Sequence, residues 1–97
     1  MTPRKVGPVM DGAELEDAGA GDAAVLNPAT GEVVAKAVCC DRVMVDAIVE
    51  SSRNAFEAPA WRKLDAAARG RLLMVLADLV EAHADEFIAL ELEDTGK

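Results

Sequence analysis

Apolar residues along this chain change their spacing near residue 41, and the change divides the sequence into two parts of different character. Upstream they come in short pieces, residues 6–10 and 23–26, broken by acidic and small residues. That pattern predicts strands and turns. Asp11-Gly12 is one turn pair, and Asn27-Pro28-Ala29-Thr30-Gly31 is a second, with Pro28 fixing φ and Gly31 supplying φ > 0. Residues 32–38, Glu-Val-Val-Ala-Lys-Ala-Val, have the β-branched, partly alternating character of a strand. The expectation is an antiparallel ribbon about the second turn. Two strands alone are marginal in water, so the ribbon must pack on something larger.

Downstream the period becomes helical. Asp41 is a good N-cap, and Met44, Val45, Ile48, Val49, Ser52, Ala55 and Phe56 follow at helical spacing, predicting a first helix over 42–57. Pro59 blocks its continuation, and Trp61 falls in the connector, where a large ring could fill a gap between elements. Asp65 is the next cap. Ala68, Leu72, Leu73, Leu76, Leu79 and Val80 form a stripe behind it, with Arg69, Arg71, Asp78 and Glu81 outside, which predicts a second helix whose Leu72 to Val80 stripe is core. A break over 83–85 leads to a third helix with Phe87, Ile88, Leu90 and Leu92, and Thr95-Gly96 supplies a C-terminal stop.

Composition narrows the class. Of 97 residues, 52% are hydrophobic and 29% charged, a globular balance, while aromatics are 3%, which favours Ala/Leu-rich helices over a sandwich. A chain of this length supports one small domain at most. The net charge of −8 repels a phosphate backbone and argues against nucleic acid. No apolar run approaches a membrane span, and Met1 to Lys5 leads into no uninterrupted apolar stretch of the signal-peptide kind, so the expectation is a soluble, cytoplasmic protein. Two adjacent cysteines, Cys39 and Cys40, make no disulfide framework, in keeping with a reducing compartment.

Candidate chemistry is thin. Gly19-Ala20-Gly21 places two glycines at the offset of a phosphate loop, but no third follows and Asp22 would repel the anion, so a turn is expected. Cys39-Cys40 ends an apolar strand and reads as small buried hydrophobes rather than a nucleophile. The only histidine, His83, cannot complete a zinc site with the pair, and at the end of the second helix it reads as a cap on the negative end of the macrodipole. Glu91, Glu93 and Asp94 cluster near the third helix end as a solvated face.

Taken in order, several of these segments resemble the start of the aldehyde dehydrogenase superfamily. Asn27-Pro-Ala-Thr-Gly-Glu32 with Val33-Val34-Ala35 is similar to the turn joining two early strands of that family, and Val9 to Leu15 loosely to its opening strand. Asp46-Ala47, then Arg53-Asn54-Ala55-Phe56 and Trp61-Arg62, resemble the first helix and its connector. Arg69-Gly70-Arg71-Leu72-Leu73, Leu76-Ala77-Asp78-Leu79-Val80-Glu81, Ala89-Leu90-Glu91 and Asp94-Thr95-Gly96-Lys97 resemble the second helix and the segment ending in the family's Asp-Thr-Gly-Lys signature.

The resemblance implies an α+β fragment: an amino-terminal β-ribbon, then three α-helices, forming part of an α/β, Rossmann-like cofactor-binding domain. Residues 1–97 would be a single partial domain, ribbon and turns over 1–40 and helices over 41–97. The family's catalytic cysteine, general-base glutamate and glycine turn for NAD or NADP lie beyond Lys97, so no catalytic or cofactor-binding residue maps here, and this chain alone is expected to be inactive. The family reaction is oxidation of an aldehyde to a carboxylic acid. The implied partners are the remainder of the dehydrogenase chain and, in the full-length, usually homo-oligomeric enzyme, the aldehyde. The resemblance also implies a structural monovalent cation held by the main-chain oxygens of Val25 and Leu26 and the carboxylate of Asp94, a donor set suited to a hard ion.

Two other classes compete. One is a self-sufficient helical module that binds a protein partner through its leucine stripes and has no enzymatic activity. The other is a redox sensor built on Cys39-Cys40, for which only Lys36 and Arg42 supply flanking positive charge, balanced by Asp41. A module should be closed, whereas a piece of an enzyme should leave apolar surface bare.

Overall fold

The computed structural model describes residues 3–97; Met1 and Thr2, which open the stretch considered above for a targeting signal, lie outside the described residues. Strands occupy the chain up to Cys40 and helices follow from Arg42: β1 Arg4–Val6, β2 Val9–Met10, β3 Ala13–Glu14, β4 Gly19–Leu26, β5 Val33–Cys40, α1 Arg42–Glu57, α2 Pro59–Arg62, α3 Ala66–Ala82 and α4 Ala84–Thr95.

The expected ribbon is β4 paired antiparallel with β5. Its turn is closed by the Asn27 N–H donating to the Glu32 carbonyl at 2.9 Å and the Gly31 N–H donating to the Asn27 carbonyl at 2.8 Å. Asn27 Oδ1 accepts from the Ala29 N–H at 2.9 Å, the Asx turn that asparagine favours. Beyond the ribbon, β1 adds to the far edge of β5 in parallel, giving a three-stranded sheet in the order β1-β5-β4.

Residues 9–14, which lie in the segment likened above to an opening strand, form a separate hairpin whose turn is the expected Asp11-Gly12 pair. Asp11 and Gly12 both have positive φ, 52° and 77°. Two consecutive positive φ values define the two-residue turn whose twist matches antiparallel strands, so the Asp-Gly pair folds the segment back and pairs Met10 with Ala13.

The helices begin at the predicted caps. Asp41 Oδ1 accepts from the Met44 N–H at 2.8 Å, and Asp65 Oδ1 from the Ala68 N–H at 2.7 Å. There are four helices among the described residues rather than three, because Pro59 at a first helical position nucleates the short α2, in which Trp61 remains 41% exposed rather than filling a gap. Gly96, at φ 73°, caps α4 in the left-handed conformation and donates its N–H to the Leu92 carbonyl.

The core is small: among the described residues Ala18, just before β4, and Ala35 and Val38 of β5 are the buried ones. No helix contains a buried residue. The leucine stripe predicted to be core is bare: Leu72, Leu73, Leu76, Leu79 and Val80 are 47–58% exposed, as are Met74 and Val75 between them at 64% and 55%. α3 makes its recurrent tertiary contacts with α4, which shields only part of one side.

Candidate functional site

The residues singled out by sequence gather in two places, the end of β4 and the junction of α3 with α4. Val25 faces Ala35 across the ribbon and Leu26 faces Val33, so Val34 is an extra residue and the ladder is irregular at this point. Such a bulge disrupts local strand pairing. Asp94 lies in the last turn of α4, and that end of the helix rests on the Asn27–Gly31 turn. A Cβ built at Gly96 would stand 2.8 Å from Pro28 Cγ and 2.9 Å from Ala29 N. The absence of a side chain at Gly96 therefore permits the approach that brings the Asp94 segment beside the turn following Val25 and Leu26.

A second tie holds the same region. Arg4 Nη1 donates to Glu93 Oε2 at 3.0 Å, linking β1 to α4. Both side chains are nearly half exposed, so this pair contributes about 0–1 kcal/mol. Val25 and Leu26 thus stand at a bulge of β4 and Asp94 on the last turn of α4, two elements that meet through the Asn27–Gly31 turn. Among the described residues no three His, Cys, Asp or Glu side chains cluster as a metal site, which leaves no protein-only cage for a transition metal.

The other sequence candidates resolve into structure. Gly19 and Gly21, with φ of 92° and 69°, lie within β4 at a second irregularity of the ladder. The Gly19 N–H is already donated to Asp17 Oδ1 at 3.1 Å, and the Asp41 carboxylate fills the space where a Cβ would stand. An anion is thus excluded by an acid, and the glycines serve the bulge. Cys39 and Cys40 are free and half-buried in β5, the middle strand of the sheet. Successive strand residues point to opposite faces, so the pair presents no common thiol site.

His83 is the C-cap of α3 and begins α4, at the helix end where the sequence placed it. The carbonyls of Leu79 and Val80 are met by the His83 backbone N–H, at 3.1 and 3.2 Å, while its ring turns forward to Glu86, Nδ1 to Oε2 3.4 Å. Around it, Leu76, Leu79, Val80, Glu86, Phe87 and Leu90 line an open cleft of about 190 Å³. Most of its lining is apolar, and sequence reading placed the α3 part of it in the core.

Nowhere in these arrangements do a nucleophile, a base and an anion-binding turn converge. Residues 15–97 match the model of the aldehyde dehydrogenase family, and the chain belongs to that family. It is 45% identical over 73 residues to the mitochondrial aldehyde dehydrogenase of Equus caballus, covering 74% of this chain and 15% of that protein. Against the phenylacetaldehyde dehydrogenase of Pseudomonas fluorescens it is 44% identical over 73 residues, covering 75% and 14%. Against the aminoacetaldehyde dehydrogenase of Pseudomonas aeruginosa it is 40% identical over 88 residues, covering 91% and 18%. The chain thus spans less than a fifth of the length of these curated relatives.

Proposed function

We propose that this chain is a structural part of the cofactor-binding domain of an NAD(P)-dependent aldehyde dehydrogenase and supplies none of the groups that react. It forms a single partial domain, with ribbon and turns before residue 41 and helices after it. In the complete enzyme an aldehyde is oxidised to a carboxylic acid with NAD or NADP as acceptor, and this segment contributes shape and apolar surface to a Rossmann-like body that is homo-oligomeric.

The observation that carries this reading is the bare α3. A helix apolar around most of its circumference belongs inside a protein. Among the described residues its main neighbour is α4. The whole molecule agrees. Its accessible surface is 7574 Å², whereas a closed monomer of this mass exposes about 5,300 Å². Its radius of gyration is 17.0 Å, against about 13 Å for a compact domain of this length. A self-sufficient helical module would have closed this surface, so the segment reading is preferred.

The reading extends to two finer points. A monovalent cation held by the Val25 and Leu26 main-chain oxygens and Asp94 would fasten α4 to the ribbon. The compartment is the cytoplasm, where Cys39 and Cys40 stay reduced, although several relatives are named mitochondrial; no helix among the described residues is long and apolar enough to cross a membrane.

The test is aldehyde-dependent NAD(P)H formation by residues 1–97 alone, followed at 340 nm with aliphatic and aromatic aldehydes. No turnover above the rate of buffer is expected. Turnover of any aldehyde would overturn the claim that the reacting groups lie elsewhere.

A further inference from the structure

Among the described residues Asp11 is the one non-glycine residue with a positive φ, 52°. It is also the only aspartate or asparagine in the chain that is followed by glycine. Both facts fall on the tip of the β2–β3 hairpin, where Asp11 and Gly12 are exposed. A Cβ built at Gly12 meets nothing within 4 Å, so the approach to its amide nitrogen is open. Among the described residues no ion pair or hydrogen bond engages the Asp11 carboxylate, which is free to turn toward that nitrogen. Strands of two residues each hold the turn shut, pairing Val9 with Glu14 and Met10 with Ala13, and so short a ribbon opens at little cost.

We propose that Asp11-Gly12 is a site of spontaneous covalent modification, at which aspartate converts to isoaspartate through a cyclic imide. The Gly12 nitrogen gives up its proton and bonds to Asp11 Cγ, and one oxygen of the carboxyl group leaves as water. The nitrogen is then bonded to both carbonyl carbons of Asp11. Water adds back in one of two ways. Breaking the bond to Cγ restores aspartate, whereas breaking the bond to the main-chain carbonyl carbon leaves the chain running through Cβ and Cγ with a free α-carboxylate. The water released is the water consumed, so atoms and charge balance without a metal, an oxidant or a second protein. Glycine leaves the attacking nitrogen uncrowded, and each of the eight other aspartates precedes a residue with a side chain. The left-handed backbone also crowds Asp11 Cβ, a clash that is relieved when the chain runs through that carbon. Isoaspartate lengthens the turn by one backbone atom, which a two-residue turn cannot absorb without losing its register. Asp11 lines an open cleft beside Ala47, Glu50 and Asn54, so the change also loosens the hairpin from α1.

The experiment incubates residues 1–97 at neutral pH in water enriched in oxygen-18, then digests them with a protease that cuts at aspartate but not at isoaspartate. A synthetic peptide of residues 7–16 is treated alongside. Isoaspartate is expected at residue 11 at least about tenfold faster than at any other aspartate, with one heavy oxygen gained per passage through the imide. The rate should lie within about tenfold of the peptide's, the mark of a turn that opens readily. Gly12→Ala should slow conversion about tenfold or more by crowding the nitrogen. Asp11→Asn keeps a residue that tolerates the left-handed turn and should convert faster, with ammonia leaving in place of water. In the isomerised chain the Ala13 and Leu15 amides should lose exchange protection while the β4–β5 ladder keeps its own. No isoaspartate at residue 11, faster conversion elsewhere, no heavy oxygen, an unchanged rate in Gly12→Ala, a rate more than about a hundredfold below the peptide's, or equal protection before and after conversion would each overturn the proposal. None of these readouts depends on catalysis, so failure here leaves the dehydrogenase reading to its own assay.

Discussion

At the scale of single residues, two positions carry much of the local geometry. Asp41 caps α1 and also fills the space above Gly19, so one carboxylate joins the first helix to the start of β4. Replacing Asp41 with Ala leaves an N–H of α1 unpartnered and should cost about 1 kcal/mol, read as a lower urea midpoint of the circular dichroism at 222 nm. Gly96 is constrained twice, by its φ of 73° and by the contact with Pro28 and Ala29. Gly96→Ala should cost about 1–2 kcal/mol for the backbone alone, and more because the Asn27–Gly31 turn must shift. The checking measurement is amide exchange: the turn and the last turn of α4 should lose protection together, while α1 keeps its own.

At the scale of elements, exposure makes a sharper prediction. Leu76 is 55% exposed in this chain, so Leu76→Ala should change its stability by less than about 0.5 kcal/mol. In a complete dehydrogenase the same substitution should cost about 2–5 kcal/mol, the range for a truncated core leucine. Comparing denaturation of the two proteins checks this, and equal small effects would mean that α3 stays uncovered.

The elements also show what was legible in the sequence. α1 and α3 begin at the acids that sequence reading chose, and the ribbon turns where Asn-Pro and Gly require, because caps and turns are decided by a few neighbouring residues. Three features were not legible for the opposite reason. The parallel pairing of β1 with β5 joins segments about 30 residues apart in sequence, and periodicity carries no information on pairing. The hairpin at 9–14 depends on how two adjacent φ angles fall, and an Asp-Gly pair marks a turn without stating that both neighbouring strands are only two residues long. The leucine stripe was expected to be core and is exposed, because helical periodicity marks an apolar face without saying whether another surface covers it. Of the candidate site, the approach of the Asp94 segment to the turn after Leu26 depends on tertiary packing at Gly96, and was accessible from sequence only through family resemblance.

At the scale of the molecule, the shape is extended, 47 × 36 × 18 Å, and the buried core among the described residues is Ala18, Ala35 and Val38. Marginal stability follows, since hydrophobic burial must exceed the entropy of ordering the chain, and here most large apolar side chains remain wet. The chain alone should bind a hydrophobic dye strongly and unfold at a low urea midpoint. The central claim is that this segment is built to be completed by the rest of a dehydrogenase, and it is tested most directly by a chimera. Residues 1–97 would replace the matching amino-terminal segment of the Pseudomonas fluorescens phenylacetaldehyde dehydrogenase, and aldehyde-dependent NAD(P)H formation would be measured for the chimera and for residues 1–97 alone. The account predicts a folded chimera with activity within about tenfold of the parent, a barrier change of about 1.4 kcal/mol, and no activity from residues 1–97. A folded but inactive chimera, or turnover by the 97-residue chain, would contradict it.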